Sequence, residues 1–73
     1  MKTHERTIEQ HVDNNVATAI DQAHEYGGLE GAFYSFMQNT RDSAEEDGYT
    51  EEEAFDAGRW FCVKFNAATG MSF

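Results

Sequence analysis

The chain has 73 residues, 14 of them acidic and 5 basic, for a formal net charge of −9, with one cysteine and no proline. That length makes one domain with a small core, so its stability depends on good helix packing or on area added by a partner. The charge excludes direct binding to DNA, RNA or an anionic membrane, since phosphate contacts need Lys and Arg, and a lone Cys excludes an internal disulfide framework and fits a reducing compartment.

The first helix is expected over residues 4–26, starting at about Thr3 or His4. Its apolar stripe is Ile8, Val12, Val16, Ala19, Ala23 and Tyr26, with Ile20 at the edge, in steps of three and four. Gly27 and Gly28 end it. The three histidines, His4, His11 and His24, are expected on the exposed polar side. His4 and His11, seven apart, share a face.

The second helix is expected over 29–46, capped weakly by Gly28. Leu29, Ala32, Phe33, Phe36, Met37, Thr40 and Ala44 fall on one side, and Tyr34 falls off it. Glu45, Glu46 and Asp47 sit badly against the negative end of a helix dipole. Fraying is therefore expected from Arg41 or Asp42 onward, with Gly48 as the latest stop.

The third helix, 51–69, carries the clearest signals. Thr50 and Glu53 form a capping box, and Glu51, Glu52 and Glu53 meet the positive end of the dipole. Tyr49, before the cap, is placed to staple onto Ala54. Gly70 supplies a left-handed stop, after which Met71 folds back. Ala54, Ala57, Gly58, Phe61, Phe65 and Ala68 share one stripe, flanked by Phe55 and Cys62. Gly58 costs a helix about 1 kcal/mol against Ala, which implies close approach of another helix backbone. Trp60, Val63 and Ala67 make a second apolar patch. It is either a flank covered by neighbouring helices or by residues 71–73, or a contact surface for a second chain.

Three amphipathic segments joined by short links imply an all-α fold, a small three-helix bundle or an orthogonal helical array. No stretch alternates with period two, which excludes a sheet. No apolar run is long enough to span a membrane, and no signal-peptide core follows the opening Met-Lys-Thr-His, so a cytoplasmic protein with no membrane partner is expected.

Residue patterns for chemistry are weak. With Gly48 at the sixth place of an EF-hand loop, Ser43, Glu45, Asp47, Tyr49 and Glu51 fall at ligand places. The twelfth place is then Ala54, where a bidentate Glu is needed, and the first is Ser. The histidine spacing is not that of a zinc site. Cys62, set between Phe61 and Val63, reads as a small hydrophobe at the core edge. Gly27-Gly28 lacks the Lys and the hydroxyl residue of a phosphate loop. No catalytic residue, metal site or cofactor is assigned, and the chain is not expected to be an enzyme.

The acidic block is the strongest functional signal. Asp42, Glu45, Glu46, Asp47, Glu51, Glu52, Glu53 and Asp56 follow one another with no base between them. A solvated helix corner explains such a run. Carboxylates held on helices also imitate phosphate spacing and attract the Lys and Arg of a nucleic-acid-binding protein. Tyr34, Tyr49 and Trp60 are available as aromatic anchors. The expected partner surface is therefore Asp42, Glu45, Glu46, Asp47, Tyr49, Glu51, Glu52, Glu53, Asp56 and Trp60. The expected function is an inhibitor or adaptor docking on a basic protein, in the style of small acidic proteins of viruses and mobile elements, acting in the host cytoplasm if viral. The alternative is a structural helical protein that self-associates, as a homodimer, through Trp60, Val63 and Ala67 or the flank of the first helix.

Overall fold

The computed structural model describes residues 4–73. It is a three-helix bundle: α1 spans Ile8–Asp21, α2 Leu29–Glu46 and α3 Glu51–Thr69, with a 3-10 turn at Ala23–Tyr26 between α1 and α2. All three helices pack on one another. Val12 and Ala19 of α1 meet Ala32, Phe33, Phe36 and Ala44 of α2 and Ala54, Ala57, Phe61 and Phe65 of α3 in one apolar core. α2 and α3 run antiparallel. Moving away from their link, Arg41 lies over Gly58, Met37 meets Cys62, and the Phe33 and Phe65 rings approach to 5.7 Å.

Small residues set the spacing and aromatics fill what remains. Phe33, Phe61 and Phe65 stack and tilt against one another, and Phe73 adds a fourth ring 5.1 Å from Phe33. Such pairs contribute roughly 0.5–1.5 kcal/mol each beyond the area they bury. Residues 71–73 do fold back, but through Phe73 rather than Met71. The Phe73 N–H donates to Asn66 Oδ1 and the Asn66 amide donates to the Phe73 carbonyl, while Met71 is exposed.

The first helix is shorter at both ends than its apolar periodicity implies. Thr7 caps α1, with a full capping box in which Thr7 Oγ1 accepts from Gln10 N and Gln10 Oε1 accepts from Thr7 N. Residues 4–7 precede the helix, and Thr3, the earlier start considered, lies outside the described residues. At the far end the chain tightens to 3-10 geometry, and Gly27 closes the turn at φ 84°. The turn presses on α2: a Cβ on Gly31 would lie 1.7 Å from the Tyr26 carbonyl oxygen.

α2 does not fray before Glu46. Its end is closed by two bonds, Tyr49 N–H to the Ala44 carbonyl and Gly48 N–H to the Glu45 carbonyl, with Gly48 at φ 96°. That is the Schellman arrangement, and it satisfies the last carbonyls despite the unfavourable charges nearby. α3 begins with the capping box at Thr50 and Glu53 and ends at Gly70, φ 75°. Its buried stripe is Ala54, Ala57, Gly58, Phe61 and Phe65, while Ala68 is exposed past the end of the core. Gly58 makes room for a side chain rather than a backbone. The stem of Arg41 crosses it, and an added Cβ would lie 2.7 Å from Arg41 Cγ and Cδ. The guanidinium continues onto the Phe55 ring, 4.7 Å from its centroid.

Candidate interaction surface

The link between α2 and α3 is where the acidic residues gather, and Asp47 is its pivot. As the residue that ends α2, Asp47 turns its carboxylate toward the start of the chain. Oδ1 accepts from the Glu5 N–H at 2.8 Å, and Oδ2 accepts from the Arg6 N–H at 3.0 Å and from His11 Nε2 at 2.8 Å. The backbone donors of Glu5, then the His11 bond, hold this carboxyl at a pKa of about 2, below the ordinary 3.8. His4 Nδ1–H donates to the Asp47 carbonyl, and its ring stacks on Tyr49 with centroids 3.7 Å apart. The Tyr49 hydroxyl donates to the Arg6 carbonyl. Burial, then the Asp47 charge, raises the Tyr49 hydroxyl pKa.

One of the histidines, His11, therefore departs from the exposed polar placement expected of it. His11 is buried at 4% exposure and bonded across the fold; His4, although bound, and His24 are exposed as expected. Asn15, also buried, donates to the His11 carbonyl and accepts from Asn39 of α2 at 2.6 Å. A signal for both was present. Ile8, His11, Val12, Asn15 and Ala19 follow the steps of a buried helix stripe, and only their polarity hid two of them. Their bonds satisfy the rule that buried polar groups be paired.

The rest of the acidic set divides by what each carboxylate does. Glu53 is spent on the capping box, and the Thr50 N–H lowers its pKa. Asp42 accepts from Gln38 Nε2, and Asp56 faces Arg59 at 3.9 Å on the open surface. Glu45, Glu46, Glu51 and Glu52 are exposed and form no ion pair among the described residues. At 100° per residue, Glu51, Glu52 and Glu53 fan across 200° of the α3 surface. The carboxylates thus crown the corner between α2 and α3 rather than forming one flat patch. Asp47 and Tyr49 sit beneath that crown, engaged by residues 4–6 and 11.

Trp60, the remaining member of the set, lies about one turn beyond Asp56 and about two beyond Glu53 along α3. Lys64 Nζ stands 4.8 Å above its ring and is itself held by Asp13 at 2.8 Å and Glu9 at 3.3 Å. The Asp13 bond is the main reason the Lys64 pKa is raised. Val63 and Ala67 are exposed beside Trp60. Val63 is open at 67% exposure, Trp60 is 38% exposed with Lys64 over one face of its ring, and Phe73 turns to the core.

No family model, curated protein or solved structure matches this chain. The surface must be read from its own chemistry. Among the described residues no group of three or more His, Cys, Asp or Glu is arranged to hold a metal ion. Burial raises the Cys62 thiol pKa, and its Sγ lies 3.3 Å from Met37 Sδ, the setting of a packed sulfur rather than a nucleophile. No described helix is long and apolar enough to cross a membrane.

Proposed function

We propose that this chain is an acidic helical interaction module, an inhibitor or adaptor that docks on a basic, nucleic-acid-binding protein. The observation that carries the reading is the presentation of Glu45, Glu46, Glu51 and Glu52. They are exposed on a corner whose backbone is fixed from three sides, by the closure at Gly48, the capping box at Thr50 and the Asp47 clamp. A corner already ordered gives up little conformational freedom on binding, which favours affinity from charge contacts that would otherwise be weak. With a net charge of −9, the whole molecule steers toward cationic surfaces. Carboxylates fanned around a helix end resemble a strand of phosphates more than a single ligand pocket, so a groove built for nucleic acid is the natural counterpart.

Affinity capture from a native lysate tests this, with the chain immobilised at low salt and bound proteins released at high salt. The expected eluate is enriched in basic nucleic-acid-binding proteins, and the Glu45→Lys/Glu52→Lys double variant should retain few of them. An eluate indifferent to salt and to the reversal would reduce the acidic corner to solvation.

The exposed Trp60 and Val63 favour a second reading, self-association. Light scattering after size exclusion at high protein concentration decides it, and a strictly monomeric chain removes it.

A further inference from the structure

α3 is engaged on two flanks. Lys64 with Glu9 and Asp13 ties it to α1; Arg41 over Phe55, with Met37 against Cys62, ties it to α2. Between the flanks a third line faces away from the body. Glu52, Asp56, Trp60, Val63 and Ala67 follow at steps of four, four, three and four, so they stack along one side of the helix. All five are exposed, Val63 by 67% and Trp60 by 38%. The line is about 22 Å long at 1.5 Å per residue.

We propose that this line is the docking face for a basic amphipathic helix of the partner. The apolar side of that helix lies on Trp60, Val63 and Ala67, and its Lys and Arg side chains reach Glu52, Asp56 and the corner carboxylates. The proposal rests on the docking reading above and specifies the chemistry of the partner. Charge order along the face supports it: carboxylates occupy one half and apolar side chains the other, and an incoming helix with the matching order covers both. Trp60 is already braced by Lys64. The charge of Lys64 is met by two carboxylates, so it does not repel an approaching cation. Arg59 faces Asp56 across 3.9 Å with both side chains largely in solvent, a pair that a partner cation displaces at little cost. A second copy fits less well, because it brings another −9 and no surplus of cations. An anionic lipid surface is repelled for the same reason.

The test uses a synthetic Leu/Lys peptide of about eighteen residues in which one helix face carries Leu over one half of its length and Lys over the other, beside a scrambled peptide of identical composition. Trp60, the single tryptophan, reports binding by a blue shift, and amide shifts map the contact. The patterned peptide should bind at least about tenfold more tightly than the scrambled one, with shifts centred on residues 52–67. Val63→Glu is the decisive variant, since position 63 is open and the change spares the core. Charge alone makes this variant bind more tightly, whereas docking on an apolar face makes it bind at least about tenfold more weakly. Equal binding of both peptides, or undiminished binding by Val63→Glu, overturns the α3 face while leaving the acidic docking reading standing. No binding of either peptide at low salt overturns both. A dimer that excludes the peptide and dissociates on Val63→Glu assigns the face to a second copy and also overturns the proposal.

Discussion

Gly31 and Gly58 both sit in helices, and replacing either with Ala should give opposite lessons. Helix propensity alone favours Ala by up to about 1 kcal/mol at each. At Gly31 the new Cβ would meet the Tyr26 carbonyl oxygen at 1.7 Å and its carbon at 2.9 Å. That backbone is fixed by the 3-10 turn and by the bond from Gly28 N–H to the Ala23 carbonyl, so the turn and α2 must part. Overpacking of this kind costs about 1–3 kcal/mol or more. A domain of this size holds only roughly 4–11 kcal/mol in total. The net expectation for Gly31→Ala is a loss of about 2 kcal/mol. At Gly58 the obstacle is the Arg41 stem, which can swing away. What is then lost is the guanidinium contact with Phe55, worth about 0.5–1 kcal/mol at an exposed site, so Gly58→Ala should fall within about 0.5 kcal/mol of wild type. In an Arg41→Ala background the obstacle is gone, and Gly58→Ala should stabilise by nearly the full propensity gain. Urea unfolding followed by far-UV circular dichroism measures all of these. If Gly31→Ala stabilises, or Gly58→Ala is the costlier substitution, the close contacts described here do not govern the packing.

Thr50→Ala should cost about 1 kcal/mol in the same assay, because the Glu53 N–H loses its acceptor. Acid should release the start of the chain before the core melts. The Asp47 pKa is depressed in the folded protein, so its clamp contributes in full above the ordinary value of 3.8 and is lost as pH falls through about 2. Amide shifts of Glu5 and Arg6 should follow that window together, and in Asp47→Asn both should lose the acid transition.

The third helix was the most legible part of the chain because its signals are local. Thr50 with Glu53, Gly70, and the run from Ala54 to Phe65 each act within a few residues, and the structure forms them as that spacing implies. The second helix was legible in its stripe but not in its end. Electrostatics argued for fraying, and a closure completed by Gly48 and Tyr49 outweighed it. The first helix was over-extended for a different reason. Nothing near Glu5 or Arg6 shows that Asp47, more than forty residues away, will take their backbone donors. The start itself has a local signal, the Thr7 and Gln10 capping box, which the apolar periodicity runs past; only the Asp47 clamp on residues 5 and 6 leaves no trace in the sequence. His11 lies in step with Ile8, Val12 and Ala19, so its spacing is that of the buried stripe; its polarity argues for the surface, and the carboxylate that satisfies it belongs to Asp47, 36 residues on. On the candidate surface, the acidic block was visible as a count. Its division into spent carboxylates, Asp47 and Glu53, and open ones depends on caps and clamps that only three dimensions supply.

The docking account meets its most direct test in the salt dependence of binding to a basic protein recovered by the lysate capture, for wild type and for Glu45→Lys/Glu52→Lys. The account predicts wild-type affinity that falls steeply as salt rises, and a double variant at least about tenfold weaker at low salt with a shallower salt slope. Equal affinities with equal slopes, in two proteins that unfold at the same urea concentration, would contradict it.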